Sequence, residues 1–153
     1  MLQVSTYLKI KDNFININEY NGLLKDSFYI EGAIELSIYN TKVIDIGMWD
    51  YVDQLWSYLI EGLVKINENK EFKANFPDQP IEIKFQPIND NVLITITANE
   101  PQKAFIKKEL FIKTMALHAQ DFFNKLVTFK GIVLNDYAID FQNIKNLLKN
   151  GNY

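Results

Sequence analysis

Few residues in this chain have the chemistry that catalysis usually needs. There is one histidine, His118, so any histidine-based triad must run through it, and multi-histidine metal sites are excluded. Asp121 lies three residues on, where a helix would let it orient the imidazole. His118 also falls on an apolar stripe among phenylalanines, a setting that suits a structural histidine better than a catalytic one. Cysteine is absent, which removes disulfides, thiolate metal sites and thiol nucleophiles. The four serines, Ser5, Ser27, Ser37 and Ser57, sit in no G-x-S-x-G context, and the six glycines make no phosphate-cradling loop.

Carboxylates are the remaining route to acid–base chemistry. Glu31 and Glu35 share a strand face, and Asp45, Asp50 and Asp53 lie close in sequence. Four residues of strand span roughly 13 Å, too far for a typical glycosidase pair. No catalytic residue, metal ligand or cofactor is assigned from the sequence, and solvated charge is the simpler account of these acids.

Aromatic residues beside those acids suggest contact instead of catalysis. Alternation from Phe28 to Tyr39 puts Tyr29, Glu31, Glu35 and Tyr39 on one side of a strand, with Phe28, Ile30, Ile34 and Leu36 supplying the core from the other. Trp49 stands at the entrance of the following helix, and Tyr51 and Tyr58, seven apart, flank its buried stripe. Tyrosine and tryptophan are enriched at protein interfaces, and carboxylates of one sign steer a cationic partner. These seven residues form the expected partner-binding set, and the expected partner is a protein of basic character.

The elements that must position this set follow from periodicity. Leu2 to Ile10 alternates apolar and polar residues, Asp12-Asn13 is turn material, and Phe14 to Tyr20 alternates again, which predicts a hairpin. The long strand from Phe28 to Tyr39 turns at Asn40-Thr41 into a short strand near Val43 to Ile46. After Gly47 the period changes. Val52, Leu55, Trp56, Leu59, Ile60, Leu63 and Val64 keep helical spacing over residues 50 to 67, with Asp50 as the expected N-cap. The polar stretch from Glu68 to Pro80, with Pro77 and Pro80, reads as a surface loop.

Strands are then expected at 81–86, 92–97 and 103–107, the middle one apolar on both faces and so central. A helix over 109–129 follows, with a stripe of Phe111, Met115, His118, Phe122, Leu126 and Phe129. Asn135 or Asp136 can cap a last helix that buries Tyr137, Phe141, Ile144 and Leu148 and ends near Gly151. Short turns between strands force antiparallel neighbours. The expectation is a single α+β domain over residues 1–153, with a mostly antiparallel sheet of about six to seven strands and two to three helices packed on one face. The two halves share a coarse plan, but the echo of Ile34-Glu35-Leu36 in Ile81-Glu82-Ile83 is too short to argue duplication.

Composition narrows the partner further. The chain has 153 residues, is 48% hydrophobic and carries a net charge of -3, enough apolar content for a core and too little positive charge for a general nucleic-acid binder. All 16 basic residues are lysines, so bidentate guanidinium forks to phosphate or guanine cannot be made. The missing arginine, with abundant asparagine and isoleucine, reads as codon bias in an AT-rich genome. The N-terminus has neither a basic segment nor a long apolar run, so no leader or membrane anchor is expected and a cytoplasmic location is.

A small, acidic, arginine-free α+β chain is similar in general style to the immunity proteins that neutralise bacterial toxins, a likeness of composition that covers no motif. The expected function is thus non-catalytic binding of a partner, in the form of an immunity-type protein or another small bacterial cytosolic partner-binding protein. The alternatives are a small-molecule binding domain with an apolar pocket and a hydrolase that uses His118.

Overall fold

The structure is a computed structural model that describes residues 1–150. The first half of the chain forms β1 (Leu2–Ile10), β2 (Asn13–Asn16), β3 (Glu31–Ile38), β4 (Thr41–Ile44) and β5 (Asp50–Tyr51), followed by helix α1 (Val52–Asn67). The second half forms β6 (Phe72–Asn75), β7 (Glu82–Ile88), β8 (Asn91–Thr97) and β9 (Pro101–Lys107), then α2 (Lys108–Leu126) and α3 (Ala138–Asn150). All strand pairs are antiparallel. The fold is α+β, but it holds two sheets instead of one. Four strands run in the order β2-β1-β3-β4, with β5 paired to β3, and four more run β6-β7-β8-β9. These two orders differ, so the halves do not repeat one topology.

Two of the hairpin turns show where left-handed backbone is needed. Tyr39 and Asn40 have φ of 48° and 72° between β3 and β4, and Asn89 has φ of 56° between β7 and β8. Asparagine enters this region more readily than most residues, and two consecutive positive φ values match the right-handed twist of paired strands. Tyr39 therefore lies at a hairpin tip and not on the outward strand face expected for it.

Alternation puts Val4, Thr6 and Leu8 of β1, Ile34, Leu36 and Ile38 of β3, Ile83 and Phe85 of β7, and Val92, Ile94 and Ile96 of β8 into the core. Helices α1 and α2 cover that face, each touching strands of both sheets, while α3 packs on α1 and α2. The sheets abut where β4 runs beside β9. On the inner face the Trp56 indole donates to Thr6 Oγ1 at 3.0 Å, which satisfies both polar groups in an otherwise apolar layer.

Gly62 marks the closest approach of α1 to the second sheet. A Cβ there would lie 2.5 Å from the Phe85 ring and 2.8 Å from Phe72. Phe85 is fully buried and meets Phe111 edge-on at 5.3 Å, so its ring has little room to yield.

Three expectations fail for tertiary reasons. The segment 68–80 is not all loop: β6 forms inside it because Phe72, paired across from Phe85, and Phe76 find apolar cover. The run from Phe14 to Tyr20 stays a strand only to Asn16, after which a 3-10 turn over Ile17–Glu19 tucks Ile17 into the core. The long strand starts at Glu31, three residues later than expected, and Phe28 is 78% exposed instead of buried. Asp26 is the cause of that last difference. Its Oδ1 accepts from the Phe28 backbone N–H at 2.8 Å, and this local turn competes with strand pairing. The expected end of the last helix near Gly151 lies outside the described residues.

Leu59 is fully buried, so Leu59→Ala should lower unfolding stability by about 2 to 5 kcal/mol. Gly62→Ala should cost about 1 to 3 kcal/mol from overpacking against Phe85, less the roughly 1 kcal/mol that alanine recovers in helix propensity. Denaturant melts measure both. A stabilising Gly62→Ala would show that helix and sheet can move apart there.

Candidate functional site

Four of the seven expected contact residues come together. Glu31 opens β3 and pairs across from Tyr51 of β5, and the Tyr29 and Tyr51 rings lie 5.4 Å apart. Trp49 precedes β5, and the Lys9 ammonium sits 4.6 Å from its ring centroid. The two-residue strand β5 sets this arrangement, because pairing with Glu31 and Gly32 turns the chain entering α1 back onto the start of β3.

Asp50 fixes the geometry from below. It was expected as the N-cap of α1, but Tyr51 occupies that position without a side-chain bond. Asp50 is instead 2% exposed and ties together distant segments. Its Oδ1 accepts from the Tyr51 N–H at 2.7 Å, and its Oδ2 accepts from the backbone N–H groups of Asp78 at 3.1 Å and Gln79 at 2.9 Å. The Gln79 side-chain amide donates to the Trp49 carbonyl. A buried carboxylate held by three N–H donors is well compensated, and it locks the 76–81 loop beside Trp49 and Tyr51.

Two clefts meet at this point. The larger, of about 610 Å³, has an apolar floor of Leu8, Ile10, Leu24 and Ile30, with Lys9, Lys11 and Lys25 set against Asp12, Asp26 and Glu31 at its rim. The smaller, of about 250 Å³, is lined by Glu31, Gly47, Trp49, Asp50, Tyr51, Asp78 and Gln79. Glu31 and Tyr51 belong to both. Partial burial, followed by the charges of Asp78 and Glu31, pushes the Tyr51 phenol above its ordinary value.

The other three expected residues lie elsewhere. Glu35 sits further along β3, where its carboxylate pairs with Lys42 at 3.2 Å. Tyr39 is 56% exposed at the hairpin tip, and Tyr58 is half-buried on α1 and lines neither cleft. Sequence reasoning missed Leu23 and Phe28, which stand 71% and 78% exposed on the segment between β2 and β3. It also missed Asp78, which loop closure brings from 28 residues beyond Asp50. The Asp26-Ser27 pair was the available signal, since it breaks strand alternation before Phe28.

His118 is half-buried at the margin of the α2 stripe and lines a shallow hollow with Ser5, Ser37 and Glu35. No described residue hydrogen-bonds its ring, and Glu35 is engaged by Lys42. Among the described residues, no group of three or more potential ligands could hold a metal ion, and no helix is long and apolar enough to cross a membrane.

A second buried acid lies beneath α3. Asp53 of α1 is 7% exposed. Its Oδ2 accepts from the Tyr137 hydroxyl at 2.8 Å, and its Oδ1 is buried with no partner among the described residues. Burial pushes the Asp53 carboxyl above its ordinary value, against the lowering effect of the Tyr137 bond. Asp140 on α3 is raised by burial as well, and by the charges of Asp53 and Glu61.

Comparison with known proteins gives no match: no family model, no curated protein and no solved structure is significantly similar to this chain.

Both raised carboxyls hold protons more tightly in the folded chain than in the unfolded one. Their contribution to stability is therefore full below the unfolded value of about 4 and is lost as pH rises through the raised values. Asp53→Asn should flatten this dependence, because the amide does not titrate while its oxygen can still accept from the Tyr137 hydroxyl. Urea melts of both proteins at about pH 4 and about pH 7 measure the difference. An equal pH slope in the variant would rule Asp53 out as the source.

Proposed function

We propose that this chain is a non-catalytic interaction protein that binds a basic protein partner through the surface where β3 and β5 meet. A protein of the immunity type, which acts by binding alone, would work in this way. One observation carries the reading: Tyr29, Glu31, Trp49 and Tyr51 converge on a rigid support, beside the solvent-exposed Leu23 and Phe28. Large apolar and aromatic side chains grouped on one surface are the composition of an interface centre. The tyrosines contribute contact area at low entropic cost, and Glu31 with Asp78 supplies the charge that steers a cation.

A small-molecule site is the second reading, favoured by the larger cleft. Its volume of about 610 Å³ falls within the roughly 300–1,000 Å³ of ordinary ligand pockets. Its rim charges balance, however, and its walls include the exposed 23–26 segment, which fits a broad contact better than an enclosed ligand. The hollow beside His118 holds Ser5, Ser37 and Glu35, but no described residue hydrogen-bonds the His118 ring and Glu35 pairs with Lys42, an arrangement that speaks against the hydrolase reading.

The experiment is affinity capture from the native cell with wild type, with Tyr29→Ser/Tyr51→Ser and with Leu110→Ser, whose exposed side chain lies on α2. The same basic partner should be recovered by wild type and by Leu110→Ser, and reduced at least tenfold in the double variant, the equivalent of about 1.4 kcal/mol. Capture should also weaken as salt is raised. A partner retained by the double variant would overturn the reading.

A further inference from the structure

The smaller cleft differs from its neighbour in charge. Its lining includes three carboxylates, Glu31, Asp50 and Asp78, and no lysine. Asp50 already uses both oxygens on backbone N–H groups. Among the described residues the carboxylates of Glu31 and Asp78 take part in no salt bridge or hydrogen bond. Two aromatic side chains, Trp49 and Tyr51, complete the walls.

Accepting the interaction reading above, we propose that the partner's anchor is a single lysine or arginine side chain. It is seated in the 250 Å³ cleft with its stem against Trp49 and Tyr51 and its cationic head facing Glu31 and Asp78.

Three further observations support this. The volume lies below the roughly 300 Å³ at which small-molecule pockets begin, and suits one long side chain. The protein already holds an ammonium at this ring, for Lys9, which lines the larger cleft, rests 4.6 Å from the Trp49 centroid. An aromatic face attracts a cation, and two carboxylates with no partner among the described residues add to that attraction. The Tyr51 phenol is raised first by burial and then by the charges of Asp78 and Glu31, as expected for a hydroxyl that lies near both carboxylates. A bare metal ion fits poorly, because no described group of three ligands could enclose one.

The site can be probed without the partner. N-acetyl-lysine methylamide, its arginine counterpart and the uncharged norleucine counterpart are titrated into ¹⁵N-labelled protein, and the two indole N–H signals are followed. Trp56 is an internal control, since its indole is buried and bonded to Thr6. The lysine and arginine probes should shift the Trp49 signal with a Kd on the order of millimolar, near −4 kcal/mol, while Trp56 stays in place. Norleucine should give no shift.

The double variant Glu31→Gln/Asp78→Asn should weaken cation binding about fivefold to tenfold, whereas Glu35→Gln should leave it unchanged. Thermal melts check that the variants fold, which is expected because neither replaced carboxylate bonds another described residue. An unmoved Trp49 signal, an equal response to norleucine, an equal response to magnesium chloride at matched ionic strength, or undiminished binding in the double variant would each overturn the anchor. Partner capture that depends on Tyr29 and Tyr51 without cation binding would refute the anchor alone. Cation binding without such capture would instead refute the proposed function.

Discussion

Helix α1 lies against strands of both sheets, and no backbone hydrogen bond of either ladder joins one sheet to the other. The fold therefore depends on helices that pack across both sheets, and α1 does so with an apolar face about half its circumference wide. Leu55, Trp56, Leu59, Ile60 and Leu63 are all fully buried, some against the first sheet and others against the second or under α2 and α3. Two points pin its distance from each sheet. Trp56 hydrogen-bonds Thr6 of β1, and Gly62 lets Phe85 and Phe72 come into direct contact with the helix backbone. Close packing of this kind resists even a methyl group, because the surrounding rings have no empty volume to move into.

The candidate site inherits its rigidity from the same helix. Tyr51 is the residue before α1, and β5 is held to β3 by pairing on one side and to the 76–81 loop by the Asp50 carboxylate on the other. A loop that would otherwise wander is thus fixed to the scaffold by two backbone N–H bonds to a buried anion. Such bonds are strong because charge-assisted hydrogen bonds are not weakened by water at a buried site. The result is a recess with acidic and aromatic walls whose shape does not have to form on binding, which keeps the ordering cost of an encounter low.

Asp53 stands in contrast to Asp50, although both are aspartates within four residues at the start of α1. Asp50 meets three N–H donors, whereas Asp53 meets one hydroxyl and leaves an oxygen unpaired. The physical difference lies in what packs above them. The 76–81 loop presents two backbone N–H groups to Asp50, whereas the start of α3 meets Asp53 through the Tyr137 hydroxyl. Helix α3 is held by Tyr137, Phe141, Ile144 and Leu147 and by the Tyr137–Asp53 hydrogen bond, which makes its docking sensitive to the protonation of Asp53 and Asp140.

Periodicity alone determined the class of this protein. Alternation over Leu2–Ile10 and 92–97, and helical spacing over Val52–Val64, are properties of local chain geometry, and short polar turns between strands leave only antiparallel pairing. The same alternation put Glu31 on a strand, with Tyr29 just ahead of it, and the helix entrance put Trp49 and Tyr51 near it. Tertiary structure decided the rest. The division into two sheets depends on which edges meet, and sequence period carries no information about that. Phe28 became exposed because a local Asp26 turn outcompeted pairing, and Phe72 became a strand residue because Phe85 was available to cover it. Asp78 reached the site only through Asp50, across 28 residues of intervening chain. Contacts at that separation are set by loop closure and packing, which no local pattern of residues encodes.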